Sequence, residues 1–501
     1  MSHSLFQLQT ETTNMINGSR PYLRILIERF FLALFLSTSL LLANAQAAEQ
    51  KNVLLICVDD LRPELASFGA SYIKSPNVDQ LAKRGTSFHR HYVNAPSCGP
   101  SRFTLLTGRF GAPGNMALFA RAQANKKSSG EARPSMPEWF RKLGFTTVSV
   151  GKVSHHPGGL GGKDWDDPEV VEMPGAWDRH LMPVGDWQHP RGTMHGLANG
   201  EIRVRGQMSV IQATEGPDSI YPDGLIVDKA LQQLDLLSSD KSKPFFLAVG
   251  LIKPHLPFGC PKKYLDLYAG VTLPAIPHPD KPKGLSTWHK SGEFFKGYST
   301  DGKDPREDQA FADEVRRHYA ACVSYADASV GRIIERLRQT GEDKNTIIVL
   351  WGDHGWNLGE HGIWGKHNLF EEALRSPLIV VEPGDTAVGQ KTMAIVETLD
   401  IFPTICELAE VSKPDFVEGV SLVPIMKDPG STGRPAIGYT RDQRTLRTQT
   451  HRLILHKNGG VELYDHTSPE KETKNIAQEN SELVDQLTTQ LNERLSRVRD
   501  R

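Results

Sequence analysis

The sequence predicts an α/β fold in which helices sandwich a large, mostly parallel sheet, with a smaller α+β subdomain at the C-terminal end. Three observations predict it. Four apolar runs of strand length, without polar alternation, are separated by helical segments, which is how strands buried on both faces read. Each run ends in polar or charged residues, as in open α/β sheets whose ligands bind beyond the carboxyl ends of the strands. Beyond about residue 428 the pattern changes to short alternating strands joined by a tight turn.

Taken in order, the chain begins with Arg20, Arg24 and Arg29 ahead of the apolar stretch Phe30 to Leu42. Small-residue cleavage sites follow at Ala43-Asn44-Ala45 or Ala45-Gln46-Ala47. Residues 1–47 therefore read as a signal peptide. The apolar run is short for a membrane span, so the mature chain is expected to be exported, periplasmic or secreted, with no stable membrane insertion after cleavage. The run Asn52 to Val58 is the first buried strand and ends in Asp59-Asp60. A helix from Pro76 to Arg84 starts with proline in its first turn and stops at Gly85. Ser135-Met136-Pro137-Glu138 is a capping box opening a helix that ends at Gly144. The strand Phe145 to Gly151 ends in Lys152. From His155 to about Gly216 glycine, proline, histidine and tryptophan dominate, and long loops at the ligand edge are expected, with Trp165, Trp177, Trp187, His189 and His195 either stacking on a bound ligand or packing locally.

A helix at Leu225 to Leu237 precedes the strand Pro244 to Ile252, which ends in Lys253-Pro254-His255. Glu307 to Thr340 carries a long apolar helical face closing at Gly341. The strand Thr346 to Gly352 ends in Asp353-His354-Gly355. A helix broken near Pro403 is expected over Ala394 to Ala409. The C-terminal part reads as a hairpin, Arg452 to His456 and Val461 to Asp465, followed by a helix from Ser481 to Val498. Residues 48–427 are thus expected to form the catalytic domain and 428–501 the subdomain. A net charge of −1 and 39% hydrophobic residues give no electrostatic basis for a nucleic-acid partner. Of the five cysteines, Cys57, Cys260, Cys322 and Cys406 read as small apolar residues, and spacing alone leaves any pairing open.

The chemistry concentrates at the strand ends. Asp59, Asp60 and Asp353 brought to one sheet edge would repel unless a cation joined them, and hard oxygen donors favour calcium or magnesium over zinc. A lone cysteine opens Cys98-Gly99-Pro100-Ser101-Arg102, followed by a helical run to Arg109.

This Cys-x-Pro-Ser-Arg segment resembles the signature of type I sulfatases. The likeness to the iduronate-2-sulfatase branch runs from about residue 50 to the C-terminal hairpin. It rests on Val58-Asp59-Asp60-Leu61-Arg62-Pro63, Ser75-Pro76-Asn77-Val78-Asp79, Gly151-Lys152-Val153, Lys253-Pro254-His255, Asp353-His354-Gly355-Trp356 and Leu358-Gly359-Glu360-His361-Gly362 through Lys366. The resemblance implies an alkaline-phosphatase-like fold and a sulfated saccharide substrate. It also implies that Cys98 is oxidised to formylglycine by a formylglycine-generating enzyme, its hydrate supplying both the hydroxyl that attacks sulfur and the one that expels sulfate. One calcium ion held by Asp59, Asp60, Asp353, His354 and the modified Cys98 is implied too. His354 stands where arylsulfatases commonly carry asparagine. By the same resemblance Lys152 and Lys366 bind sulfate, Arg102 steadies the hydrate and the metal ligands, and His255 protonates the leaving alkoxide. His155 assists proton removal, with His156 beside it as an alternative. A formylglycine-dependent phosphonate or phosphate ester hydrolase, or a choline-sulfatase-like enzyme, is the alternative on the same scaffold. A carbohydrate-binding protein with a vestigial site is disfavoured because every catalytic position is filled.

Overall fold

Strand β1 (Asn52–Val58) lies in the middle of an eight-stranded sheet and has every side chain buried. This computed structural model describes residues 50–112, 114–127, 133–157, 171–384 and 389–499. The expected signal peptide and Trp165 lie outside the described residues. The other strands of the sheet are β2 (Thr86–Tyr92), β3 (Thr146–Gly151), β4 (Arg179–Leu181), β5 (Phe245–Leu251), β6 (Thr346–Gly352), β7 (Leu378–Val381) and β8 (Gln390–Glu397). Their order is β8-β2-β7-β6-β1-β5-β3-β4. Only β7 runs against the rest, pairing antiparallel with both β6 and β2. The sheet is therefore mostly parallel, as expected from its apolar runs.

Alternation across β1 explains why those runs lack polar residues. Leu54, Ile56 and Val58 enter the core beneath helices α4 (Pro222–Ser239) and α5 (Gln309–Gln339), with Ile226, Ala230, Val323 and Ile333. Val53, Leu55 and Cys57 enter the opposite core, beneath α2 (Cys98–Thr107), α3 (Met136–Lys142) and α6 (Ile401–Leu408). A polar residue on either face would be desolvated. Helix α1 (Pro76–Ala82) begins at its proline, and α3 opens with the capping box, the Glu138 carboxylate accepting the Ser135 N–H.

Four of the eight strands were not legible as strands: β2, β4, which is three residues long, β7 and β8. In β2 the residues His89, Arg90 and His91 interrupt the apolar pattern, and burial of His91 is tolerated because its ring meets Ser376 and Thr398. β7 is only four residues long. The expected helix over Ala394 to Ala409 is a correction: its first part is β8, paired in parallel with β2, and only Ile401–Leu408 is helical. Ile395 and Val396 favour a pleated surface. Pro403 does not break α6, because it sits in the first turn, where its missing N–H has no intrahelical acceptor to lose.

The C-terminal layer is a four-stranded antiparallel sheet, β9 (Ala436–Tyr439), β10 (Gln443–Arg447), β11 (His451–His456) and β12 (Val461–Asp465), in sequential order. Helix α7 (Ser481–Arg499) covers it with Leu487, Leu491, Leu495 and Val498 against Ile437, Leu446, Leu453 and Leu463. All five cysteines are buried and free. Among the described residues, no helix is long and apolar enough to cross a membrane.

One buried carboxylate joins the two layers. Glu397, at the end of β8, accepts from the Ile437 N–H at 2.9 Å and Asn94 Nδ2 at 3.1 Å, and pairs with Arg434 at 3.0 Å and with Arg494. Removing it would leave those donors and guanidinium groups without their acceptor. Glu397→Ala is therefore expected to lower the unfolding free energy by about 3–5 kcal/mol, measured by urea denaturation. A loss below about 1 kcal/mol would show that the layers are held by apolar contacts instead.

Candidate active site

The carboxyl ends of β1, β3, β5 and β6 converge, as strand ends do in such sheets. β1 delivers Asp59 and Asp60, β3 delivers Lys152, β5 leads to Lys253-Pro254-His255, and β6 delivers Asp353 and His354. Close approach of β3 and β5 requires glycine on both strands. Gly151 has φ of +77°, and a Cβ on Gly250 would lie 2.0 Å from the Lys152 carbonyl oxygen. β2, the strand hidden by its histidines, leads to Cys98 at the first turn of α2. The hairpin Asn357–Leu358/Trp364–Gly365 carries Lys366 to the same place.

Arg102 is the hub and is wholly buried. Its Nε donates to Asp353 Oδ2 at 3.0 Å, its Nη2 lies 3.3 Å from Asp59 Oδ1, and its Nη1 donates to the carbonyls of Lys152 and Val153. Lys152 Nζ meets Asp59 Oδ2, while Lys366 Nζ lies 2.7 Å from Asp60 Oδ1 and 3.3 Å from Cys98 Sγ. Asp60 has a left-handed backbone (φ +56°), uncommon for a residue other than glycine. Its N–H donates to Asp353 Oδ1 at 2.9 Å and its carbonyl accepts the Tyr319 hydroxyl at 2.9 Å. Tyr319, on α5, is a supporting residue that the sequence did not reveal.

The electrostatics call for a cation. Burial penalises the charge of Asp59, yet Lys152, His255 and Arg102 hold its carboxyl well below the usual carboxylate range. Burial raises Asp353 to about 7, with repulsion from Asp59 adding to it. Asp60 is likewise raised, burial outweighing its contact with Lys366. Asp59 Oδ1 and Asp60 Oδ2 are buried and accept no hydrogen bond. His354 is kept neutral by burial and by Lys366, and its Nδ1 donates to the Gly355 carbonyl at 2.9 Å, leaving the Nε2 lone pair facing inward. Nε2 lies 3.3 Å from both Cys98 Sγ and Asp60 Oδ1. Ligand atoms of Asp59, Cys98, Asp353 and His354 lie within 4.8 Å of one another, and so do those of Asp59, Asp60, Cys98 and His255. Three carboxylates with two unsatisfied oxygens and one imidazole fit a hard divalent cation.

Above this cluster is a cavity of about 220 Å³ lined by Cys98, Lys152, His155, His156, His195, His255, Lys366 and His367, with Asn115, Arg191 and Glu293. The structure thus brings together every site residue singled out in the sequence. His155 and His156 both line the cavity, with rings 4.6 Å apart. His255 Nδ1 donates to the Leu256 carbonyl at 2.7 Å, so Nε2 faces the cavity, and burial together with Lys152 and Lys366 keeps the ring neutral. Of the loop aromatics, Trp187 is buried with its indole N–H on the Leu197 carbonyl, Trp177 packs against the core, and His189 caps a helical turn. Among the described members of that group, only His195 reaches the cavity. Asn115, Arg191, Glu293 and His367 were missed: residues 262–306 show no periodicity or motif that would mark a site, and His367 falls one residue past the last matched motif, which ends at Lys366.

Residues 51–411 match the sulfatase family model, and residues 359–501 match the model for the C-terminal part of N-sulphoglucosamine sulphohydrolase. Iduronate 2-sulfatase of Homo sapiens is 34% identical over 389 residues, covering 75% of this chain and 68% of that protein. The phosphonate monoester hydrolase of Agrobacterium radiobacter superposes with a TM-score of 0.72 at 21% identity, over 89% of this chain and 96% of that one. A protein solved with its substrate D-glucosamine-2-N,6-O-disulfate superposes with a TM-score of 0.66 at 23% identity, over 90% of this chain and 98% of that one. These structural likenesses establish the alkaline-phosphatase-like α/β fold. With the family model spanning most of its length and iduronate 2-sulfatase sharing a third of the aligned positions, the chain belongs to the sulfatase family and is a sulfuric ester hydrolase.

Proposed function

We propose that the protein is exported and hydrolyses sulfate esters of saccharides, with an iduronate-2-sulfatase-like preference. The observation that carries this reading is Cys98 at the floor of a cationic cavity, within 3.3 Å of Lys366 and beside a buried carboxylate cluster. The iduronate 2-sulfatase relative and the neighbour solved with a glucosamine disulfate support a sulfated sugar. Matured to formylglycine, residue 98 presents a hydrate with one hydroxyl to attack sulfur and a second to expel sulfate. Asp59, Asp60, Asp353 and His354, with an oxygen of that hydrate, would hold one calcium ion, which when bound draws charge from the sulfate oxygens.

The chain's own residues do the rest. Lys152 and Lys366 donate to the non-bridging oxygens, where charge builds in the transition state. Arg102 fixes Asp59 and Asp353 and holds the start of α2 against the turn after Lys152. His155 or His156 takes the proton of the attacking hydroxyl. His255 has its Nδ1–H committed to the Leu256 carbonyl, so Nε2 is the atom that first takes up a proton as the anionic ester enters and then passes it to the leaving sugar oxygen.

Maturation is tested by mass spectrometry. The Cys98 peptide should be lighter than its unmodified form by about 18 Da and should react with hydrazide probes, as an aldehyde must. Cys98→Ala should fold and lack turnover; an active Cys98→Ala enzyme would end the reading.

Metal dependence has a readout apart from activity. Calcium added to chelated protein should raise thermal stability, by about 2.7 kcal/mol at a hundredfold excess over Kd, and Asp353→Asn should weaken that response. No stabilisation by calcium, with full activity in excess chelator, would exclude the metal.

The leaving group separates the substrate readings. A sugar alkoxide needs a proton far more than a phenolate does, so His255→Ala should cost about 10²–10⁴-fold on sulfated saccharides and much less on 4-nitrophenyl sulfate. Equal losses would contradict the acid role. Turnover of phosphonate monoesters with no sulfated sugar processed would favour the phosphonate hydrolase alternative.

A further inference from the structure

Glu293 is out of place in a cavity built for an anion. Its Oε1 lies 3.6 Å from His255 Nε2 and 3.6 Å from Lys366 Nζ, and its Oε2 lies 3.4 Å from His367 Nε2. None of these is a short hydrogen bond, and Oε2 is buried without a hydrogen-bond partner. Lys366 does not need Glu293 as counterion, since Asp60 is already 2.7 Å away.

Its position is imposed by the backbone. Ser291 adopts φ of +54°, donates its N–H to His289 Nδ1 at 3.0 Å, and accepts the Trp364 N–H on its hydroxyl at 2.9 Å. Trp364 is two residues before Lys366, so the short helix that carries Glu293 (Gly292–Gly297) is pinned through Ser291 to the strand that leads to Lys366. A carboxylate held open this way beside Lys366 and two imidazoles accepts hydrogen bonds and donates none. Its complement on a ligand is a hydroxyl or an N–H.

We infer that Glu293 is a specificity-determining residue that accepts a hydrogen bond from a free hydroxyl on the ring carbon next to the sulfated one. This rests on the saccharide sulfatase reading and names the substrate class within it: a pyranoside sulfate with a vicinal free hydroxyl. The geometry follows from His255. Glu293 Oε1 stands 3.6 Å from Nε2, so an oxygen leaving toward Nε2 brings the other substituents of its ring within reach of the carboxylate. The nearest of them is the hydroxyl on the adjacent ring carbon; an aryl sulfate has no such donor. Sulfate itself is repelled by the carboxylate and directed to Lys152 and Lys366.

The test compares matched ligands. The probes are methyl iduronopyranoside 2-sulfate with its 3-deoxy analogue, methyl galactopyranoside 4-sulfate with its 3-deoxy analogue, and 4-nitrophenyl sulfate. Both kcat/KM of the matured enzyme and ligand affinity of the Cys98→Ala protein are measured. The wild type should favour the hydroxyl-bearing partner of whichever pair it processes by at least about tenfold, because the analogue leaves a buried carboxylate unpaired. Glu293→Ala should bring that ratio to near unity, and Glu293→Gln, which keeps an acceptor oxygen, should retain part of it. General damage to the site would lower both partners together and leave the ratio intact, which would overturn the assignment. So would equal treatment of the two partners by the wild type. If aryl sulfates are hydrolysed and neither saccharide pair is bound or processed, the saccharide reading fails and this one fails with it.

Discussion

The site depends on one buried guanidinium. Arg102 ties the acids at the ends of β1 and β6 to the carbonyls at the end of β3, and it does so from the helix that begins with Cys98. A charge removed from water is costly unless paired and hydrogen-bonded, and Arg102 is paired on both counts. Its geometry therefore over-determines where Cys98 stands relative to Asp59 and Asp353. Burial of the opposing acids works the other way, raising Asp353 and Asp60. Two of their neighbouring oxygens, Asp59 Oδ1 and Asp60 Oδ2, accept no hydrogen bond, and those open oxygens are the physical reason the same residues suit a divalent cation.

The surrounding cations divide into those with fixed charge and those without. Lys152 and Lys366 remain protonated beside carboxylates, and Arg102 is charged at any accessible pH. His354 and His255 are held neutral, burial acting first and the lysines second. A neutral His354 offers a lone pair; a neutral His255 has an unprotonated Nε2 facing the cavity, which must gain a proton before it can give one. In each ring a backbone carbonyl selects the tautomer by accepting from Nδ1. The two histidines thus reach opposite tasks from one local device.

Rigidity is distributed unevenly around the cavity. The floor comes from strand ends packed between two cores, and Asp60 holds its left-handed backbone between Asp353 and Tyr319. The wall formed by Glu293 and His367 comes instead from a short helix and a loop, fastened by Ser291 to the short strand before Lys366. Chemistry common to a family belongs on the floor, and discrimination among its substrates belongs on such a wall. The C-terminal layer is joined through Glu397 to β8 and to the residues after β2, and none of its described residues lines the cavity.

The apolar runs ending in acids, lysine or histidine were readable from the chain because a strand buried on both faces admits almost no other composition. The Cys98 to Arg102 segment was readable because its chemistry is local. From these the sheet, its ligand edge and the residues gathered there could be stated in advance. β2 was hidden because its histidines and arginine are accommodated only by distant partners such as Ser376 and Thr398. β8 read as helix because Ala394 to Val396 suits either period, and pairing with β2 decided the matter. Tyr319 and Glu293 carry no sequence signal, since each acts across a gap that only folding closes. Sequence by itself determined the kind of chemistry and the edge where it occurs, through burial and local motif. Tertiary structure decided which nitrogen of each histidine faces the cavity and which carboxylate stands beside His255 and Lys366, because those depend on long-range contacts.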